Sequence, residues 1–178
     1  MGRPRLDRVG RTVSRARGGA GPTTQATQAL DRAGVDYTRH TYEHDPSASS
    51  YGLEAATVLG LPPERVFKTL LVDTGRSLAV GIVPVDGQLD LKAIAGALGV
   101  KSVTMAEPAA AERTTGYVVG GISPIGQKRR LPTVLDASAE EFETVFVSGG
   151  RRGFDLELAP GDLVRVTGAV LAPIGRAR

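Results

Sequence analysis

Two consecutive apolar segments, "VFKTLLVDT" and "SLAVGIVPV", constrain the fold of this chain more than any other feature. Each has the length of a strand, and alternation places apolar side chains on both of its faces. Strands of this kind lie inside a sheet that is covered on both sides. The Gly-Arg turn between the segments predicts that they pair as a hairpin.

Lys68 stands in the first of these segments, on the same predicted face as Leu70 and Val72. A buried strand tolerates an ammonium group at a sheet edge, where the stem can reach solvent, or in the wall of a polar pocket. The edge position is the ordinary one, and the segment alone leaves the alternatives open. The role of Lys68 therefore has to be judged from the rest of the chain.

Short helices and strands alternate over the remaining sequence. Helices are predicted in "TTQATQALDRAG", at about 50–59, and in "DLKAIAGALG", with Gly34, Gly60 and Gly99 at their ends and Asp90 as an N-cap. Further strands are predicted in "VDYTRHTYE", around 102–105, 117–119, 133–136 and 144–148, and in "FDLEL". Strands outnumber long helices, and hairpins mix with crossovers. The predicted fold class is α+β (mixed α/β), a single domain built on a curled sheet.

The charge is distributed unevenly along the chain. Six arginines and one aspartate give the first 20 residues a net charge of +5, so the other residues carry −2 of the overall +3. The protein is therefore not expected to bind nucleic acid through the overall charge of its surface. Residues 1–22 have no apolar core of their own and are predicted to be a disordered basic extension, preceding a domain at 23–175.

Composition excludes several classes of protein. No apolar run approaches the roughly 20 residues of a membrane span, and residues 1–22 lack the apolar region of a secretory signal. The absence of cysteine excludes disulfides, a cysteine nucleophile and thiolate metal sites. These features predict a soluble, cytoplasmic protein.

Glycine is concentrated in two segments, "TTGYVVGGISPIGQKRR" and "VSGGRRGFDLEL", and cations follow in each: Lys128, Arg129 and Arg130 in the first, Arg151 and Arg152 in the second. Glycine lets backbone amides approach a ligand, and amides beside Arg or Lys form anion sites. Either segment alone is equally compatible with bulges and turns that carry solvated charges.

Three other kinds of functional site, a P-loop, a metal site and a catalytic triad, have little support in the sequence. A P-loop needs Lys where the chain has Gln127. His40 and His44 are four apart, but no third His or Cys completes a metal site, and hydrogen-bonding groups at a strand end are the simpler interpretation. No metal and no cofactor are predicted, and two histidines give weak support to a Ser-His-Asp triad. Asp155 alternates away from Phe154 and Leu156, which is typical of a solvent-facing carboxylate.

The segments "HTYEHDP", "FKTLLV", "PVDGQLDLK", "TGYVVGGISPIGQKRRLPT" and "FVSGGRRGFDLELAPGDL", in this order, resemble the YbaK/EbsC-type Cys-tRNA(Pro) deacylases. This family belongs to the superfamily of the prolyl-tRNA synthetase editing domain. The resemblance covers about 23–175, and only the basic extension departs from it. It implies a mixed, barrel-like sheet surrounded by helices.

The resemblance also implies roles for individual residues. Lys68 matches the family's pocket lysine and becomes the candidate catalytic residue. The implied substrate-binding residues are Tyr42, Tyr51, Gly120, Gly121, Ile122, Ser123, Pro124, Ser148, Gly149 and Asp155. We expect Lys128, Arg129, Arg130, Arg151 and Arg152 to contact tRNA.

The implied reaction is trans-editing, in which the ester between a misplaced amino acid, chiefly cysteine, and tRNA(Pro) is hydrolysed. The thiol of the substrate would attack the carbonyl and leave as a thiolactone, a lyase-like step that needs no nucleophile from the protein. Prolyl-tRNA synthetase is the expected partner, with no role for DNA or a membrane. The alternatives are a deacylase for another misacylated tRNA, such as Ala-tRNA(Pro), and a non-catalytic module that binds a tRNA 3′ end or a synthetase.

Overall fold

A computed structural model describes residues 21–177. Residues 1–20 of the predicted basic extension lie outside the described residues. The helices of this part are α1 (Gln25–Ala33), α2 (Tyr51–Leu59), α3 (Leu91–Leu98), α4 (Pro108–Thr115) and α5 (Pro160–Thr167), with 3-10 turns at Pro63–Arg65 and Ala137–Glu141. The strands are β1 (Thr38–Thr41), β2 (Phe67–Asp73), β3 (Leu78–Pro84), β4 (Gly87–Leu89), β5 (Thr104–Met105), β6 (Thr133–Asp136), β7 (Val145–Arg151), β8 (Phe154–Leu158), β9 (Val170–Ala172) and β10 (Gly175–Ala177).

Three sheets carry the fold. The largest has the order β5-β2-β3-β6-β9, the second has the order β1-β8-β7, and β10 pairs with β4. β2 and β3 form the predicted antiparallel hairpin, whereas β3, β6 and β9 run parallel. The α+β class is confirmed, and the sheets of residues 21–177 do not join into a closed barrel.

The helix ends follow from local chemistry. Thr24, Ser50 and Asp90 cap α1, α2 and α3 by accepting backbone N–H groups, and Gly34, Gly60 and Gly99 end these helices in the left-handed conformation. That conformation is open to glycine at little steric cost. The predicted starts and stops of all three helices are confirmed.

Strand β2 separates two apolar layers, as its sequence predicts. Phe67 and Leu71 pack into the main core with Ile82, Phe154 and Leu156, while Val72 packs on the other side with Ile94 of α3. β2 lies between β5 and β3, and Val66 just before it forms a parallel bridge with Phe146 of β7. Lys68 is therefore not on a free edge.

The predicted strand at 117–119 is wrong. Tyr117 is buried and its hydroxyl donates to the carbonyl of Ile125 at 2.6 Å, while the N–H of Gly121 closes a turn on Val118. Glu112 accepts the N–H of Val119 at 3.1 Å. These contacts coil the segment into a loop, because the aromatic side chain anchors the loop from within.

The α-helices of residues 21–177 have eight or nine residues, and none is long and apolar enough to cross a bilayer.

Candidate functional site

The sheet of β1, β8 and β7 has one apolar and one polar face. Phe154, Leu156 and Leu158 point into the main core. Asp155 lies opposite His40 of β1 and opposite Ser148 of β7. Directly opposed residues share a face, so these three side chains, with Glu157 two residues further on, form the polar face.

Helix α2 covers this polar face. Ala55 and Ala56 pack with Phe146 of β7 and Val66, and Tyr42 and Leu53 adjoin this cluster. Gly52 sits so close to Val85 that a Cβ would overlap its side chain, and the Cβ of Lys68 lies 4.0 Å from the same point. Glycine therefore lets the first turn of α2 settle over β2. We call the polar sheet face beneath this helix the α2-covered face.

Asp155 is the buried carboxylate of the α2-covered face. Its side chain alternates away from the apolar core as predicted, yet it is 7% exposed, so the solvent-facing interpretation is wrong. The error arises because alternation identifies a polar face but does not show that a helix covers it. Loss of hydration raises the pKa of Asp155 to about 7. Within residues 21–177 its carboxylate oxygens accept no hydrogen bond and form no ion pair.

Tyr42 lies beside Asp155. Burial is the largest cause that raises the pKa of the Tyr42 phenol, and the negative charges of Asp155 and Glu54 raise it further. Its backbone N–H donates to the carbonyl of Gly153 at 2.9 Å, which extends the β1–β8 pairing by one residue. The phenol is therefore a neutral hydrogen-bonding group next to a buried carboxyl.

Lys68 joins the α2-covered face from β2. Lys68 follows Val66 by two residues, and Val66 forms an isolated parallel bridge with Phe146. Ser148 follows Phe146 by two residues, and its partner on β8 is Asp155. The side chain of Lys68 is partly buried, and its Nζ donates to the carbonyl of Gly87 at 2.7 Å. The ammonium group is thus held against backbone at the border of the face.

The loop at 116–127, which we call the glycine loop, presents backbone N–H groups without acceptors in its segment 120–123. The N–H groups of Gly120, Ile122 and Ser123 make no hydrogen bond within residues 21–177, whereas Gly121 donates to Val118. Ser123 is fully buried, and its hydroxyl accepts the N–H of Ile125. Gln127 donates to the Ser123 carbonyl at 3.0 Å, so the loop is fixed from both sides.

The two glycine segments of the sequence meet at the start of α2. A Cβ on Gly120 would lie 2.9 Å from the Tyr51 ring, and one on Gly121 would lie 3.0 Å from the backbone of Arg151. Arg152 donates twice to the carbonyl of Val119, at 2.7 and 3.0 Å, and its guanidinium lies 5.0 Å from the centre of the Tyr51 ring. Arg152 therefore ties the glycine loop to α2, a contact that sequence spacing did not reveal.

The basic residues predicted to contact tRNA are divided between two places. Arg151 and Arg152 belong to the turn just described. Lys128, Arg129 and Arg130 are exposed at the other end of the glycine loop, where the N–H of Lys128 donates to Thr115. The Arg130 guanidinium lies against Gly168, behind the end of α5.

The two histidines are hydrogen-bonding groups, as expected. His40 contacts Glu157 at 3.0 Å, and His44 contacts Glu54 at 2.8 Å. Residues 21–177 contain no cluster of three side chains that could hold a metal ion. Sequence reasoning missed both glutamates, because each lies outside the element that carries its histidine and no motif links them.

Comparison with known proteins places this arrangement in a family. The model of the aminoacyl-tRNA editing domain matches residues 45–166. EbsC from Enterococcus faecalis, a proposed Cys-tRNA(Pro)/Cys-tRNA(Cys) deacylase, is 37% identical over 155 residues, which are 85% of this chain and 92% of EbsC. Proline–tRNA ligase from Moorella thermoacetica is 26% identical over 103 residues, covering 58% of this chain and 18% of the ligase. A proposed trans-editing enzyme for prolyl-tRNA synthetase has the same fold, with a TM-score of 0.74 at 23% identity over 88% of this chain and 100% of that one.

The family model spans more than half of the chain, and the chain belongs to the aminoacyl-tRNA editing domain family. The extensive identity with EbsC confirms the resemblance to the YbaK/EbsC type. Editing of an aminoacyl-tRNA is hydrolysis of its ester, so the predicted class of enzyme, an aminoacyl-tRNA deacylase, is confirmed as well.

Proposed function

We propose that this protein edits misacylated tRNA in trans, with Cys-tRNA(Pro) as its principal substrate. The aminoacyl group enters the α2-covered face, and the 3′-terminal ribose remains near the glycine loop. The similarity to EbsC and to one segment of a prolyl-tRNA ligase supports the choice of tRNA. The observation that carries the proposal is Asp155, a buried carboxylate that accepts no hydrogen bond from residues 21–177.

A buried carboxyl that lacks donors favours a cationic ligand. Every aminoacyl ester carries an α-ammonium group, which can donate to Asp155 and offset the cost of its burial. Ser148, level with Asp155, and Tyr42, beside it, supply neutral groups around the same point. Binding of the ammonium group would bring the pKa of Asp155 back down, since a nearby positive charge favours the ionised form.

The glycine loop suits the carbonyl end of the ester. Negative charge develops on the carbonyl oxygen as it is attacked, and fixed N–H groups directed at that oxygen lower the barrier. The free N–H groups of Gly120, Ile122 and Ser123 are candidates for this role. Lys68 adds a cationic side chain from β2, and its ammonium group donates to the carbonyl of Gly87.

The nucleophile in this proposal is the thiol of the substrate. Its sulfur bonds to the carbonyl carbon, the bond from that carbon to the ribose oxygen breaks, and the thiol proton passes to the ribose oxygen. The products are a four-membered thiolactone and deacylated tRNA. The protein needs only to position the ester and to stabilise the negative charge that develops on its carbonyl oxygen. This chemistry is compatible with a chain that contains no cysteine.

A panel of Cys-, Ser-, Ala- and Pro-charged tRNA(Pro) tests the proposal. We expect rapid release from Cys-tRNA(Pro) and far slower release from Ser-tRNA(Pro), because a hydroxyl is the weaker nucleophile. Comparable rates with cysteine and serine would contradict attack by the thiol. Preference for alanine would assign another substrate, and no release from any ester would indicate a binding module instead of an enzyme.

A further inference from the structure

A cleft lies at the far end of β2 from Lys68. It has a volume of about 370 Å³ and is lined by the β2–β3 turn on one side and by Thr114, Arg129 and Leu131 on the other. The turn contributes Asp73, Arg76 and Ser77 among its lining residues. Strand rise over the five residues from Lys68 to Asp73 gives a separation of about 17 Å. We call this feature the β2–β3 cleft.

The β2–β3 cleft carries donors that have no acceptor. Within residues 21–177, Arg76 and Arg129 make no ion pair and no side-chain hydrogen bond, and neither do the hydroxyls of Ser77 and Thr114. Arg39, Arg65 and Arg152, by contrast, all donate to backbone carbonyls. The only acid among the lining residues is Asp73, so the charged side chains of the cleft sum to +1.

The turn that presents Arg76 is fixed by its own hydrogen bonds. The Asp73 carboxylate accepts the N–H of Gly75 at 2.7 Å, and the Thr74 hydroxyl donates to the Ser77 carbonyl at 2.9 Å. Gly75 has a φ of 87°, which glycine adopts readily, and no atom lies within 4 Å of the place where a Cβ would stand. The turn is therefore held in shape while leaving its outer surface open.

We propose that the β2–β3 cleft binds a backbone phosphate of the acceptor strand of the tRNA. This inference rests on the proposed function, because a polynucleotide whose 3′ end lies near Lys68 necessarily carries phosphates within 17 Å of it. Two arginines and two hydroxyls match the oxygens of a phosphate. The contact positions the strand and carries no base information, so it adds affinity for tRNA of any sequence.

The test compares Arg76→Gln/Arg129→Gln with the matched variant Arg32→Gln/Lys101→Gln, which removes two exposed cations elsewhere. The first readout is binding of uncharged tRNA over a series of salt concentrations. The cleft variant should bind about fivefold to tenfold more weakly, and its slope against log salt should fall by about 1 to 2. The matched variant should keep the wild-type slope.

The second readout is kcat/KM on two substrates, Cys-tRNA(Pro) and 3′-O-cysteinyl adenosine, which lacks the acceptor strand. The cleft variant should lose about fivefold to tenfold on the tRNA and nothing on the adenosine ester. Equal losses on both substrates, or an unchanged salt slope, would overturn the phosphate site. Weakened binding to prolyl-tRNA synthetase with unchanged tRNA binding would overturn it too.

The two readouts separate the phosphate site from the proposed function. If the wild-type protein hydrolysed neither ester, the proposed function would fail, while the salt-dependent binding of uncharged tRNA would still decide the phosphate site. If it hydrolysed both esters and the cleft variant bound tRNA like the wild type, the phosphate site alone would fail.

Discussion

Asp136 at the end of β6 and Asp155 in the middle of β8 are equally buried, each 7% exposed, but their surroundings differ. Asp136 accepts the N–H groups of Ile174 and Gly175 on Oδ1, at 2.9 and 2.8 Å. Its Oδ2 accepts the N–H and the hydroxyl of Ser138, at 3.3 and 2.5 Å. The carboxylate of Asp155 accepts no donor within residues 21–177.

The difference separates a structural carboxylate from a functional one. Four donors offset the cost of burying Asp136, which fastens the segment before β10 to β6. Burial of Asp155 has no such compensation from donors within residues 21–177, and it therefore costs stability. A folded chain keeps such a cost where a ligand supplies the missing partner, and the α-ammonium group of an aminoacyl ester fits that need.

The largest effect is expected on stability, from substitution of the structural carboxylate Asp136. Asp136→Ala leaves the buried N–H of Ile174 and the partly buried N–H of Gly175 without their acceptor, and it should lower the free energy of unfolding by about 3 kcal/mol. Urea denaturation measures the loss. Asp86→Ala, at an exposed aspartate, is the control and should stay within about 0.5 kcal/mol of the wild type. A loss below about 1 kcal/mol for Asp136→Ala would remove its structural role.

The next largest effect is expected on the rate of hydrolysis, from substitution of Lys68. Lys68→Ala should slow single-turnover hydrolysis of Cys-tRNA(Pro) by roughly a hundredfold, because a fixed positive charge is lost from the site. Loss of its hydrogen bond to Gly87 should itself cost about 1 kcal/mol of stability.

Two further variants sharpen the Lys68 experiment. Lys68→Arg should not restore the rate, since a planar guanidinium cannot take the place of a compact ammonium group. Lys101→Ala, at an exposed lysine, should hydrolyse at the wild-type rate. A Lys68→Ala variant as fast as the wild type would exclude this residue from the mechanism.

A smaller effect is expected in the dependence of stability on pH. The pKa of Asp155 is about 7 in the folded protein and about 4 when the chain unfolds, so the folded state holds the extra proton between these values. Its contribution to stability is therefore fully present below pH 4 and is lost as the pH rises to 7. Asp155→Asn removes this dependence. Over that window the wild type should lose about 3 kcal/mol relative to the variant, and parallel stability curves would contradict the raised pKa.

Much of this fold can be predicted from the sequence. The periodicity of β2 and β3 specifies a hairpin between two apolar layers, and Thr or Asp caps with terminal glycines define the helices. The segment 117–119 was wrongly predicted as a strand, because the Tyr117 hydroxyl bonds across a loop that strand propensity does not describe.

The candidate site is less predictable. Alternation correctly directs Asp155 away from the core, but the cover over it comes from α2, roughly a hundred residues earlier in the chain. The bonds of His44 to Glu54 and of Arg152 to Val119 also depend on how separate elements pack. Sequence spacing within one element cannot reveal them.

Paired measurements on Asp155→Asn test the central claim most directly: single-turnover hydrolysis of Cys-tRNA(Pro) and urea denaturation, both at pH 8. The account predicts a rate at least a hundredfold lower, because the amide cannot pair with the α-ammonium group, together with a free energy of unfolding equal to or above that of the wild type. Asp86→Asn should match the wild type in both. A variant that hydrolyses the ester at the wild-type rate, or that loses stability as Asp136→Ala does, would contradict the assignment of Asp155 to the substrate.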